Sequence, residues 1–113
     1  MEANAKRLLI VIRFGDETPV KVRAPKAAPA ILAVIQRCSG GEHQLAFTSR
    51  DGSVFGYLLK TTRPLGALRA ELYGETGAGT AALLNEDHFF AVELGADFDG
   101  RGFSRAWTWL QHH

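Results

Sequence analysis

Two runs in this 113-residue chain carry the letters of known ligand sites. Gly77-Ala78-Gly79-Thr80-Ala81-Ala82 fits the dinucleotide fingerprint G-x-G-x-x-A, in which backbone amides at a helix N-terminus meet a pyrophosphate. That chemistry requires a strand before the motif and a helix after it. Here the neighbouring sequence reads as helix before and strand after, so the run is read as a spacer. Asp97-Phe98-Asp99-Gly100 opens like a calcium loop, but such a loop needs a third oxygen ligand and a bidentate Glu at its twelfth position. Counting from Asp97, the fifth and twelfth places hold Arg101 and Thr108. The two acids are therefore read as solvated loop residues ahead of a helix N-terminus, where the macrodipole favours negative charge.

The remaining chemistry-bearing side chains are dispersed. His43 and His88 stand at strand starts without clustered partners, whereas zinc binding or nucleophilic catalysis requires several such groups to converge. No G-x-S-x-G elbow, P-loop or H-E-x-x-H occurs. Cys38 is the one cysteine, which excludes an internal disulfide framework and a cysteine-based zinc site. It falls on the apolar face of a helix and reads as a packed small hydrophobe. His112 and His113 end the chain and are left out of functional reasoning. No catalytic residue and no cofactor is assigned.

The bulk properties agree with a binding or structural role. A chain of this length fits one domain, expected over residues 1–113, and needs no staples to fold. Its 46% hydrophobic and 22% charged content is that of an ordinary globular protein. Thirteen Lys and Arg against twelve Asp and Glu leave a formal charge of +1, which gives no long-range field to recruit nucleic acid or an anionic membrane. The polar start, Met1 to Arg7, precedes only five strongly apolar residues, too few for a signal-peptide core or a membrane span. The expected compartment is the cytoplasm.

The elements that must position these residues can be read from periodicity. Leu8-Leu9-Ile10-Val11-Ile12 is a strand apolar on both faces, hence a central one. Val20-Lys21-Val22-Arg23 alternates and reads as a short edge strand. Pro25 and Pro29 bracket a helix start, since proline suits only the first turn. From there Ile31, Val34, Ile35 and Cys38 fall on one helical face, and Gly40-Gly41 stops it. Gln44 to Arg50 and Ser53 to Thr61 are strands joined by Asp51-Gly52, a dipeptide suited to a tight hairpin turn. Thr62 is placed as the cap of a second helix with Leu65, Leu68 and Leu72 on one face. His88 to Leu94 is a fourth strand, and a last helix begins near Ser104 with Phe103, Ala106, Trp107 and Leu110 on one stripe. The order β-α-β-β-α-β-α predicts an α+β fold, a ferredoxin-like βαββαβ plait with a four-stranded antiparallel sheet and an extra C-terminal helix.

From Lys60 onward the chain resembles the small SinR-like proteins, relatives of the CRISPR-associated ferredoxin-like endoribonucleases. The resemblance rests on Thr61-Thr62-Arg63-Pro64-Leu65, the helix with Leu68-Arg69, the strand Asp87 to Leu94, the Gly-rich turn and the C-terminal Trp-Leu helix. It implies a homodimer, and in the wider family a metal-binding acid at the end of the first strand, directly after an aromatic residue. Here Phe14 stands for the aromatic, Gly15 occupies the place of the acid, and Asp16 comes one residue late. Asp16 is thus the candidate metal ligand, one that needs partners from a second chain. The expected contact residues are Trp109, Trp107 and Arg13, with Trp109 either marking a contact surface or folding back over the sheet edge. The sequence supports a non-enzymatic, dimerising interaction domain first, and a metal-dependent nuclease or nucleic-acid-binding protein second.

Overall fold

In the computed structural model, residues 5–75, 81–95 and 104–113 are described, apart from the side chains of Ser104 and Trp107. The G-x-G-x-x-A run from Gly77 to Thr80, the acids Asp97 and Asp99, and the Trp107 side chain lie outside them. The elements are β1 (Lys6–Arg13), α1 (Val20–Ser39), β2 (His43–Thr48), β3 (Val54–Thr61), α2 (Leu65–Leu72), β4 (His88–Leu94) and α3 (Ser104–His112). The strands form a four-stranded antiparallel sheet in the order β2-β3-β1-β4. Among the described residues the architecture is α+β, with one sheet and three helices.

Alternation along β1 sends Leu8, Ile10 and Ile12 to one face. In register, Ile10 stands opposite Tyr57 of β3 and Ala91 of β4, and Leu8 opposite Leu59. These side chains meet Ile31, Val34 and Ile35 of α1 and Leu68 and Leu72 of α2, forming the main core together with Phe14, Phe55 and Leu83. The second face of the sheet carries Leu9, Val11, Leu58, Phe90 and Val92. α3 packs on this side along β2, and Arg7, which alternates away from Leu8, donates a hydrogen bond to the Leu110 carbonyl at 3.3 Å.

The first helix departs from expectation. Val20–Arg23 is not a strand but the first turn of α1, and Pro25 and Pro29 lie inside the helix rather than at its start. Val20, Ala24, Ala27 and Ile31 continue the buried stripe at helical spacing, while Val22, which suggested alternation, is 50% exposed. Both prolines sit on the exposed side, where the carbonyls they leave unbonded can be hydrated. Gly40 closes the helix in the left-handed region at φ 60°. At α2 the cap position is Pro64 and not Thr62. The residue that organises the approach is Thr61, whose hydroxyl accepts the Arg63 N–H at 3.0 Å and donates to the Cys38 carbonyl at 2.6 Å.

The hairpin of β2 and β3 forms where expected, but its turn is longer than two residues. The Ser49 amide donates to Val54 and the Gly52 amide to Ser49, with Gly52 at φ 79°. Asp51 gathers the Ser49 hydroxyl and both the amide and hydroxyl of Ser53 within 3.0 Å. These hydrogen bonds, the Ser53 amide first, hold its carboxyl at about 2. Between Leu45 and Phe47 the register slips, a bulge in β2. Leu59→Ala, at a fully buried site in the main core, lowers unfolding free energy by about 2–5 kcal/mol in a denaturant titration.

Candidate functional site

The sequence-derived candidates Arg13 and Asp16 sit where β1 ends, and the loop that carries Asp16 is fixed from behind. Arg23, on the first turns of α1, donates to both Asp87 carboxylate oxygens, at 3.1 and 2.6 Å, and its guanidinium lies 4.9 Å from the Phe14 ring centre. Asp87 also accepts the Gly15 amide at 2.9 Å and the Leu84 amide at 2.8 Å. Glu86 accepts the Glu17 amide at 3.1 Å. Tyr73 donates its hydroxyl to the Asp87 carbonyl at 2.8 Å. Burial pushes the Asp87 carboxyl up, but the Arg23 hydrogen bonds and the two amides outweigh it and hold the group below the usual carboxylate range. Gly15 is required here, because a Cβ would meet the Glu86 carbonyl oxygen at 2.5 Å.

In front of this buttress lies a polar cleft of about 370 Å³, lined in part by Arg13, Gly15, Asp16, Thr18, Asp51 and Ser53. The Asp16 side chain is 92% exposed and stands 3.7 Å from Arg13. So open an ion pair contributes little, since solvent screens it. Among the described residues no three His, Cys, Asp or Glu side chains gather into a metal-binding group. Asp16 and Arg13 are therefore brought together in a place open to solvent, and among the described residues Asp51 is the other carboxylate that lines the cleft.

The contact candidates separate. Trp109 is 6% exposed, stacked on the His113 ring at 4.5 Å and 5°, and it folds back onto its own sheet. It offers a partner almost no surface. Exposed large apolar residues occur singly at Val22, Leu65 and Leu84, and as neighbours on one sheet face on β4: Phe90 at 55% and Val92 at 41%. With Val11, Arg13, Val54, His88 and Phe89, Phe90 lines a shallow depression of about 330 Å³ on the second face. The strand His88–Leu94 was legible in the sequence, and which of its faces stays open was not.

Cys38 ends α1 inside a charged cluster that sequence reading did not find. Its thiol donates to Glu71 at 3.2 Å, Arg37 donates to the other Glu71 oxygen at 3.1 Å, and Arg63 pairs with Glu71 and approaches the sulfur at 3.6 Å. Burial and the Glu71 carboxylate push the thiol up to about 11, which leaves it protonated and unreactive near neutrality. The cluster ties α1 to α2.

No known protein family matches the chain, and no curated protein matches it. A solved structure, that of a protein of unknown function from Nitrosomonas europaea, is similar over 89% of this chain and 100% of its own, at 17% identity and a TM-score of 0.40. No helix among the described residues is long and apolar enough to cross a membrane.

The depressed Asp87 carboxyl sets the acid limit of the buttress. Its contribution is complete above the unfolded value, about 3.9, and is lost as pH falls through the lower folded value. Asp87→Asn therefore costs about 2–3 kcal/mol at neutral pH, because it removes the closer of the two carboxylates that face Arg23 and leaves only Glu86, at 3.5 Å. The difference from the parent shrinks below about pH 4. Urea titrations at pH 7 and pH 3 read both effects.

Proposed function

We propose that this chain is a non-enzymatic interaction domain that acts as a homodimer, built on a ferredoxin-like plait. The plait is supported by the order β2-β3-β1-β4, in which β3 lies between β1 and β2 and β1 lies between β3 and β4. Each helical connection, β1-α1-β2 and β3-α2-β4, then spans one intervening antiparallel strand, which is the split βαβ arrangement. The dimer rests on one observation above all: Phe90 and Val92 stand more than 40% exposed side by side on the second sheet face. Large apolar side chains placed together on a surface mark contact sites, and a two-fold contact is the commonest way a small domain covers them. A dimer also agrees with what the resemblance to the SinR-like proteins implies.

Light scattering at micromolar concentration should give about twice the 12.3 kDa chain mass. Phe90→Ser should weaken association about tenfold or more, in the range of a central interface residue. A monomer at 12.3 kDa in the parent protein would rule this reading out.

A second reading, a metal-dependent nuclease or a nucleic-acid-binding protein, is favoured by the polar cleft that brings Asp16 beside Arg13, Asp51 and Ser53. The two readings separate in a melting experiment. Magnesium or manganese leaves the melting temperature of an interaction domain unchanged, whereas ligand at a hundredfold excess over Kd adds about 2.7 kcal/mol. A metal-dependent rise that Asp16→Ala abolishes would replace the first reading with the second.

A further inference from the structure

The two edges of the sheet are built differently. β2 carries a bulge between Leu45 and Phe47 and has α3 packed along it. β4 pairs with β1 in unbroken register over seven residues, and among the described residues no strand pairs with its outer side. Natural sheets blunt an edge with proline, lysine, a bulge or a covering element. His88-Phe89-Phe90-Ala91-Val92-Glu93-Leu94 contains no proline, lysine or arginine and one acid, Glu93, opposite Leu8, and β4 has no bulge.

We infer that β4 pairs with β4 of a second copy, antiparallel about a two-fold axis at Ala91, which joins the two sheets into one of eight strands. This rests on the homodimer reading and specifies its geometry. The strand is complementary to itself in that register. Phe90 stands opposite the partner's Val92 and Val92 opposite the partner's Phe90, and an aromatic residue facing a β-branched one is a favourable cross-strand pair. Both pairs lie on the second face, where Phe90 and Val92 are exposed in the single chain. Ala91, the smallest side chain of the strand, meets its own copy on the axis. The charges are also compatible: Glu93 faces the partner's Phe89, and the two Glu93 carboxylates are offset by four residues, roughly 13 Å along the strands, beyond the screening length of physiological salt.

Register is read by cross-linking. Opposite residues in such a pair bring their Cα atoms about 4.5–5.5 Å apart, within disulfide range, while residues offset by two do not. Under mild oxidation a mixture of Phe90→Cys and Val92→Cys proteins should therefore form a covalent heterodimer, and each variant alone should remain uncross-linked. Cys38 does not compete, being buried and protonated. Amide exchange of 88–94 in the parent protein, which needs no substitution, should slow as concentration rises through the dimer range. A dimer by light scattering that shows neither the mixed cross-link nor concentration-dependent protection in β4 would overturn the β4 pairing and leave the homodimer standing. A monomer would overturn both.

Discussion

The Arg23–Asp87 ion pair fastens three stretches of chain to one another: the first turns of α1, the loop after β1, and the approach to β4. Its two parallel hydrogen bonds, at 3.1 and 2.6 Å, use the planar fork of arginine against a carboxylate. Removing both charges from water is costly, and their mutual attraction offsets that cost only where the remaining polar atoms are hydrogen-bonded. What makes it tolerable here is that Asp87 is satisfied on both oxygens, by Gly15 on one and Leu84 on the other. The same contacts hold the loop that carries Asp16 and the first turns of α1.

That dependence explains which parts of the fold were legible in advance. β1, the β2–β3 hairpin, β4 and the body of α1 follow from apolar periodicity and from Asp51-Gly52, which are local signals. The first turns of α1 were misread because Val20-Lys21-Val22-Arg23 alternates, and prolines at 25 and 29 argue against helix on local grounds alone. The local sign of helix there is the spacing of Val20, Ala24, Ala27 and Ile31, and a residue 64 positions away, Asp87, adds the contact that holds Arg23. Thr62 was likewise a reasonable cap by type, but the hydroxyl that the geometry uses is that of Thr61, which the sheet orients toward the end of α1.

Around the candidate site the sequence located positions better than roles. Arg13 and Asp16 were singled out from their place at the end of β1, and they do share a cleft there. Trp109, a large aromatic off the stripe of its helix, was left between a contact surface and the sheet edge, and it is buried and stacked on His113. The pair that stays exposed, Phe90 and Val92, looked like any strand interior. Exposure on a sheet face depends on where α3 comes to rest, which is along β2 and away from β4, and no local pattern encodes that distance.

The inequality of the two sheet edges limits how far a sheet of this kind can grow. A sheet with two competent edges is a template at both ends, and copies can add indefinitely, which is the route to fibres. Here the bulge in β2 breaks the regular spacing of donors and acceptors that an incoming strand would need. Any association that consumes the β4 edge therefore leaves only blunted edges behind. The misalignment at Leu45 and Phe47, a local irregularity in the hairpin, thus works as a terminator for the whole sheet.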